Sequence, residues 1–155
     1  MAAINIADLA ISSPAFGELQ PMDKRFTQYG KDVQPPLTIR GVPQGTAELA
    51  IVCHDPDAPL PWGFTHWTLY GIPAETTEIA EQEGDRVFRP GPTDKGVEGY
   101  VGPRPPAGHG RHHYYFWVYA LRRPIDGAPT RREFLDNYGD AIIEQNRTVG
   151  TYQRD

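Results

Sequence analysis

HHYYFWVYAL, residues 112–121, is the stretch that decides the fold. Tyr, Phe, Trp and Val are common in strands, so an unbroken run of them predicts a long β-strand. Side chains alternate between the two faces of a strand. One face carries His112, Tyr114, Phe116, Val118 and Ala120, and the other carries His113, Tyr115, Trp117 and Tyr119. The first face becomes apolar after Tyr114, so it is predicted to face the core, with His112 and Tyr114 at its polar end.

The rest of the chain predicts a mainly β protein with few helices. Further strand-like runs lie near 5–11, 37–41, 46–54 and 65–71. A helix is expected after the capping box of Thr130 and Glu133, with one apolar face. That face holds Phe134, Leu135, Tyr138, Ala141 and Ile142, and a shorter helical segment is expected near 74–83. Residues 1–155 match one domain, a β-sandwich with helical additions.

Composition excludes several classes of protein. A formal net charge of -5 argues against a general nucleic-acid binder. Cys53 is the single cysteine, so neither an intrachain disulfide nor a CxxC metal site can form. The first residues lack the basic start of a signal peptide, and no apolar run approaches the length of a membrane span. We therefore expect a cytoplasmic protein without stable membrane insertion.

IVCHDPDAPLPWGFTHW, residues 51–67, ends an apolar strand on carboxylates. Alternation puts Asp55 on the same inward face as Cys53, and His54 on the opposite face. An inward carboxylate is costly unless it is paired or hydrogen-bonded. Taken alone, DPDAP is also typical of an ordinary turn. Taken singly, His112 and Tyr114 are also typical of core residues whose polar atoms are hydrogen-bonded. The Pro- and Gly-rich loop GYVGPRPPAGHGRH, residues 99–112, adds a rigid connection beside them, and the combination predicts a concave site.

These motifs resemble the phosphatidylethanolamine-binding proteins, which include the Raf kinase inhibitor proteins. Asp55–Pro59 matches the DPDAP signature of that family, and His66-Trp67 resembles its next strand. Residues 99–114 resemble its second signature, GYxGPxPPxGxxxHxY. The resemblance covers about Ser12 to Tyr152 and points to the bacterial and archaeal branch. It implies an antiparallel Greek-key β-sandwich with a small peripheral helical element.

The resemblance also implies a small pocket for phosphate, a phospholipid headgroup or another small anion. Its residues here are Asp55, Asp57, His66, Pro106, His112 and Tyr114. Arg104 departs from the family pattern and adds a positive charge at the expected pocket mouth. We interpret Asp55 as a residue that orients a histidine and favours its protonated form, so that anion binding weakens as pH rises. Kinase inhibition is not carried over, and any protein partner is unknown.

The function implied is binding and regulation without catalysis, and without a cofactor. The alternative is a metal-dependent or acid–base hydrolase that uses the same pocket. No HxH or HExxH motif is present, and Ser12 and Ser13 are the only serines and lie outside GxSxG. The sequence therefore assigns no catalytic and no metal-ligating residue.

Two structural expectations complete the prediction. Tyr115, Trp117 and Tyr119 form more apolar surface than a monomer usually exposes, which favours a homodimer unless a second sheet covers them. The Ala58–Pro59 bond is expected to be cis, because such a bond would turn the chain sharply out of the strand.

Overall fold

The computed structural model describes residues 7–155, which fold mainly into β-strands. The strands are β1 (Ala10–Ser12), β2 (Gln20–Pro21), β3 (Leu37–Arg40), β4 (Glu48–Asp55), β5 (Phe64–Ile72), β6 (Glu78–Ile79), β7 (Arg89–Pro90), β8 (His112–Leu121) and β9 (Ile142–Tyr152). The helices are α1 (Gly84–Val87) and α2 (Arg131–Tyr138), with short 3₁₀ turns at Lys24–Phe26 and Gly139–Ala141. The predicted mainly β class, with a small helical element, is confirmed.

The strands form two sheets. The larger has the order β2-β9-β8-β4-β5-β7, and the smaller has the order β1-β3-β6. All pairings are antiparallel except that of β2 with β9, which is parallel. β4 and β8 are central and adjacent, with Cys53 opposite Phe116 and His54 opposite Tyr115. This register brings the polar end of β4 beside the polar start of β8.

The main core lies between the two sheets. Ile39 of the smaller sheet and Ile51, Leu69 and Phe116 of the larger one are fully buried there. The predicted inward face of β8 is confirmed, since Phe116 and Val118 belong to this core. Burial of these apolar side chains provides the main favourable contribution to folding.

The outer face of the larger sheet is covered only in part. Phe134 of α2 is fully buried against Tyr119, with ring centroids 5.0 Å apart. β4 is consequently buried on both faces, which a simple alternation of buried and exposed residues does not anticipate. Tyr115 and Trp117 remain half-buried beyond the helix. A helix, rather than a second sheet, therefore covers one end of the aromatic row.

The structure corrects several local predictions. Residues 74–83 are not helical but contain β6, and α1 begins only at Gly84. The helix after Thr130 has the predicted capping box but ends at Tyr138, and Ile142 starts β9. The cis bond at Ala58–Pro59 is wrong, because residues 7–155 contain no cis peptide bond and the turn is made by trans bonds with a positive φ at Gly63. The strand near 5–11 is displaced to Ala10–Ser12, and residues 5 and 6 lie outside the described part.

β9 was missed because its middle is polar. Glu144, buried at 8% exposure, accepts hydrogen bonds from the backbone amides of Asp8 and Leu9 through its Oε1 atom. The side-chain amide of Asn146 donates to the carbonyl of Leu9 at 2.8 Å. These two polar side chains thus provide hydrogen-bond partners for the backbone of the N-terminal segment. They interrupt the alternation of apolar and polar residues by which a strand is recognised in a sequence. Within residues 7–155, no helix has both the length and the apolar character needed to cross a membrane.

Candidate functional site

A cavity of about 370 Å³ opens where β4, β5 and β8 present their polar ends. It is lined by Gln28, Asp55, Ala58, Pro59, Leu60, Phe64, His66, Lys95, Arg104, Pro105, Pro106, His112 and Tyr114. Six of the seven predicted site residues are among them, and Asp57 is not. The volume is at the lower end of the range for small-molecule sites.

Asp55 and His112 form a buried pair at the base of this pocket. The side chains are 3% and 4% exposed, and Nδ1 of His112 lies 2.7 Å from Oδ2 of Asp55. The other carboxylate oxygen of Asp55 accepts the backbone amide of Asp57 at 2.8 Å. Both oxygens are thus engaged, which offsets the cost of burying the carboxylate. The Asp55 carboxylate thus accepts a hydrogen bond from Nδ1 of His112.

Asp57 supports the pocket from outside. Its Oδ2 atom accepts hydrogen bonds from the backbone amide and from Nδ1 of His113, at 2.8 Å and 2.7 Å. These bonds fasten the DPDAP loop to the start of β8. Gly63 closes the same loop with φ of +68°, and a side chain there would collide with the carbonyl of Asp55. His113 is half-buried and lies on the face opposite His112, as alternation predicts.

His66 lies on the β5 wall, with Nδ1 2.7 Å from the carbonyl of Val101. The carbonyl can only accept, so Nδ1 carries the proton. Burial lowers the pKa of His66, against smaller opposing effects from the Val101 carbonyl and from Asp55. His66 is therefore a neutral imidazole at neutral pH. Its direct partner is the carbonyl of Val101, and it is not bonded to the Asp55 carboxylate.

Tyr114 supplies the best-placed donor. Its side chain is almost completely buried, in an edge contact with His66 at 5.3 Å and a stacked contact with His112 at 6.3 Å. Burial, and then the charge of Asp55, raise the pKa of Tyr114 well above its usual value, so the hydroxyl stays protonated. Among residues 7–155 this hydroxyl has no hydrogen-bond partner. It is free to donate to a ligand in the pocket.

The pocket mouth is basic and its walls are apolar. Arg104 and Lys95 are both exposed there, and Lys95 donates to the side chain of Gln28 at 3.1 Å. The walls are Ala58, Pro59, Leu60, Phe64, Pro105 and Pro106. Sequence reasoning missed Lys95 and Phe64, because neither belongs to a motif. Lys95 lies in a loop, and its approach to the pocket depends on tertiary contacts alone.

The Pro-rich loop is held rigidly from below. The Tyr29 hydroxyl donates to the carbonyl of Pro105 at 2.7 Å, and Gln28 bonds to the loop through its backbone and side chain. A side chain at Gly102 would collide with the carbonyl of Phe26, so only glycine permits this close approach. The loop thereby keeps Arg104 and Pro106 at the pocket rim.

One contact was not foreseen at all. Nδ1 of His109 lies 2.7 Å from Nε2 of His112, so both ring nitrogens of His112 have partners. His109 belongs to the exposed end of the glycine-rich loop and does not line the cavity.

A second cavity, of about 530 Å³, lies on the outer face of the larger sheet. It is lined by His54, Trp62, Arg131 and neighbouring residues. Burial lowers the pKa of His54 to about 4, with a further contribution from Arg131. This cavity is larger than the predicted pocket but shares only Leu60 with it. The convergence of a paired Asp and His with an unpartnered tyrosine makes the smaller pocket the candidate site.

The pocket presents hydrogen-bond donors and charges rather than an activated thiol. Cys53 is fully buried, and burial together with Asp55 raises the pKa of its thiol, which makes it a poor nucleophile. Within the described residues no three His, Cys, Asp or Glu side chains come together as a metal site. What the site offers is a hydroxyl donor, two mouth cations and a fixed imidazole.

The protein is of the class that has two β-sheets and a pocket of Asp, His and Tyr side chains at the ends of the central strands. The comparisons agree: residues 12–153 match the family model "Phosphatidylethanolamine-binding protein". An Aquifex aeolicus UPF0098 protein is 36% identical over 96% of this chain and 91% of its own length. A Mycobacterium tuberculosis protein named "Putative lipoprotein LppC" is 37% identical over 94% of this chain and 72% of its own length. The E. coli YbcL crystal structure, titled a member of the mammalian PEBP family, superimposes with a TM-score of 0.88 and 27% identity, covering 96% of this chain and 100% of that one.

The chain belongs to the phosphatidylethanolamine-binding protein family, as the sequence motifs predicted.

Proposed function

We propose that this protein binds a small anion, a phosphate or the phosphoryl group of a phospholipid headgroup, without chemically changing it. The observation that carries the proposal is the hydroxyl of the buried Tyr114, which is protonated and without a partner among residues 7–155, in a pocket with a basic mouth. A phosphoryl oxygen is an acceptor that such a donor would satisfy.

Charge supports the same ligand. The Asp55 carboxylate would repel a phosphate, but its oxygens are engaged by His112 and the Asp57 amide. Arg104 and Lys95 then supply the positive charge at the mouth. The whole chain is acidic, with a formal net charge of -5, so this basic mouth provides local rather than general attraction for anions.

The apolar walls support a headgroup that carries an organic substituent. Leu60 is 53% exposed at the rim, close to Pro59 and Phe64 in the lining. An acyl or alkyl group attached to the phosphate would contact these side chains. Family membership supports a binding role in general, and nothing in the comparisons points to a hydrolase.

Calorimetric titration with inorganic phosphate, phosphoethanolamine and a short-chain phosphatidylethanolamine tests the proposal. We expect saturable binding of all three, and weaker binding of each by Arg104→Ala. Arg86→Ala, a substitution of an exposed arginine on α1, is the matched control and should bind as the wild type does. If phosphate does not bind to the wild-type protein, or if the two variants are equally affected, this pocket is not the anion site.

The assembly and location of the protein are further proposals. The open end of the outer aromatic row, with Tyr115 and Trp117 half-buried and Trp62 72% exposed nearby, supports a homodimer formed through this face. A cytoplasmic location remains our proposal, and one relative is named a putative lipoprotein.

A further inference from the structure

Three side chains form a continuous hydrogen-bonded row that begins at the pocket base and ends at the surface. Oδ2 of Asp55 contacts Nδ1 of His112 at 2.7 Å, and Nε2 of His112 contacts Nδ1 of His109 at 2.7 Å. Asp55 and His112 are buried, whereas His109 is exposed. A change in the protonation of His109 can therefore be transmitted to the buried end of the row.

The number of protons on the row decides whether it can form. An ionised carboxylate only accepts, so Nδ1 of His112 carries a proton. With both rings neutral, Nε2 of His112 is an acceptor and His109 donates to it. One additional proton is tolerated, because either ring can then donate to the other. When both rings are imidazolium, two N–H groups face each other and the His109–His112 bond is lost.

We propose that His109 is a proton-controlled latch on the pocket, closed while the two rings share at least one unprotonated nitrogen and open when both are protonated. In the closed state His109 occupies Nε2 of His112, so that imidazole offers no N–H to a ligand. In the open state Nε2–H becomes a charge-assisted donor, and an anion stabilises that state. This inference rests on the proposed anion-binding function, since it describes the regulation of the same pocket.

The loop that carries His109 can move at little cost in packing. Gly108 and Gly110 flank His109 with φ of +75° and +86°, and a Cβ added to either meets no atom within 4 Å. The His109 backbone amide makes one weak turn bond, to the carbonyl of Pro106 at 3.2 Å. The histidine pair is thus the main polar contact that holds this end of the loop.

The groups that face His112 from each neighbouring element favour such a switch. β4 contributes the Asp55 carboxylate, β5 the neutral His66, and β8 the protonated Tyr114. β9 places Tyr152 opposite His112 in the strand register. The mouth adds the cations Arg104 and Lys95, and Arg111 adjoins His112 in the sequence. Among residues 7–155, Asp55 is the carboxylate bonded to the ring, and a ligand anion adds further negative charge that stabilises the doubly protonated state.

Sulfate is the appropriate probe, because it does not titrate between pH 5.5 and 8.0. For each proton that is taken up on binding, sulfate affinity increases by up to about tenfold when the pH falls by one unit. The wild type should bind sulfate more tightly at pH 5.5 than at pH 8.0. For His109→Ala this fold-increase in affinity should be less than about one fifth of the wild-type increase, because the variant lacks one of the two protons linked to binding. His113→Gln, which alters a neighbouring outward-facing ring, should keep the wild-type gain. A His109→Ala gain of one fifth or more overturns the latch.

A measurement without ligand separates this inference from the proposed function. In protein labelled with ¹⁵N-histidine, a scalar coupling between Nδ1 of His109 and Nε2 of His112 should be present at pH 8.0 and absent at pH 5.5. Absence of the coupling at pH 8.0, or its persistence at pH 5.5, overturns the latch whether or not an anion binds. Failure of sulfate to bind, with the coupling switching as expected, rejects the anion-binding function and leaves a proton-controlled loop.

Discussion

Asp55 and His112 join the last residue of β4 to the first residue of β8 through a 2.7 Å hydrogen bond that is almost completely buried. The two residues are 57 positions apart in the sequence. Their pairing fixes both the orientation of the imidazole and the shape of the pocket base.

Asp55→Asn should destabilise the protein by about 1–3 kcal/mol, because it removes the charge from a buried hydrogen bond. Urea unfolding at pH 7 measures this change. Asp57→Asn is the matched control, since its side-chain hydrogen bond with His113 is partly exposed and such contacts contribute about 1 kcal/mol or less. An equal loss for the two variants would show that burial of the Asp55–His112 bond does not matter.

His54 should make stability depend on pH in the acid range. Burial lowers its pKa to about 4, against an ordinary value of 6.5 in the unfolded chain. Between these values the unfolded state binds more protons, so stability falls as pH falls from 6.5 toward 4. Between pH 7.5 and 5.0 the wild type should lose about 2 kcal/mol more than His54→Gln.

Urea unfolding of both proteins at the two pH values tests this dependence. Val87→Ser is the control, because it changes an exposed side chain without a titratable group, and it should keep the wild-type pH slope. If the free energy of unfolding depends on pH equally in the wild type and in His54→Gln, His54 is not the cause of this pH dependence.

The outer aromatic face should mediate dimerisation. Light scattering at micromolar concentration should give twice the chain mass of 17.3 kDa for the wild type. Trp117→Ser should give one chain mass, because it removes half-buried aromatic surface beyond the cover of α2. Val87→Ser alters an exposed apolar residue on α1 and should leave the dimer intact. A single species of 17.3 kDa for the wild type would contradict the dimer.

The sequence predicted the elements that have regular alternation or a complete local motif. The faces of β8 follow from strand geometry, so the inward positions of His112 and Tyr114 were predictable, as was the outward position of His113. The capping box likewise located the start of α2. These features depend on residues that are neighbours in the chain.

The features that could not be predicted depend on contacts between distant segments. β9 is polar in its middle because Glu144 and Asn146 bond to the backbone near Leu9. Lys95 reaches the pocket mouth from a loop without a motif. The pairing of His109 with His112 requires the path of a glycine-rich loop, which alternation does not specify. Family resemblance supplied five of the residues that line the pocket, namely Asp55, His66, Pro106, His112 and Tyr114, but not these supporting contacts.

Tyr114→Phe provides the most direct test of the anion pocket. The substitution removes only the hydroxyl, which has no partner among residues 7–155, so the free energy of unfolding should change by less than about 0.5 kcal/mol. Phosphate affinity, measured by calorimetry at pH 6.0, should fall by about tenfold or more, since a hydrogen bond to a charged group contributes about 1.5–3 kcal/mol. Tyr115→Phe, on the opposite face of the same strand, should bind phosphate as the wild type does. Equal phosphate affinity for Tyr114→Phe and the wild type, or no saturable binding by the wild type, would contradict the account.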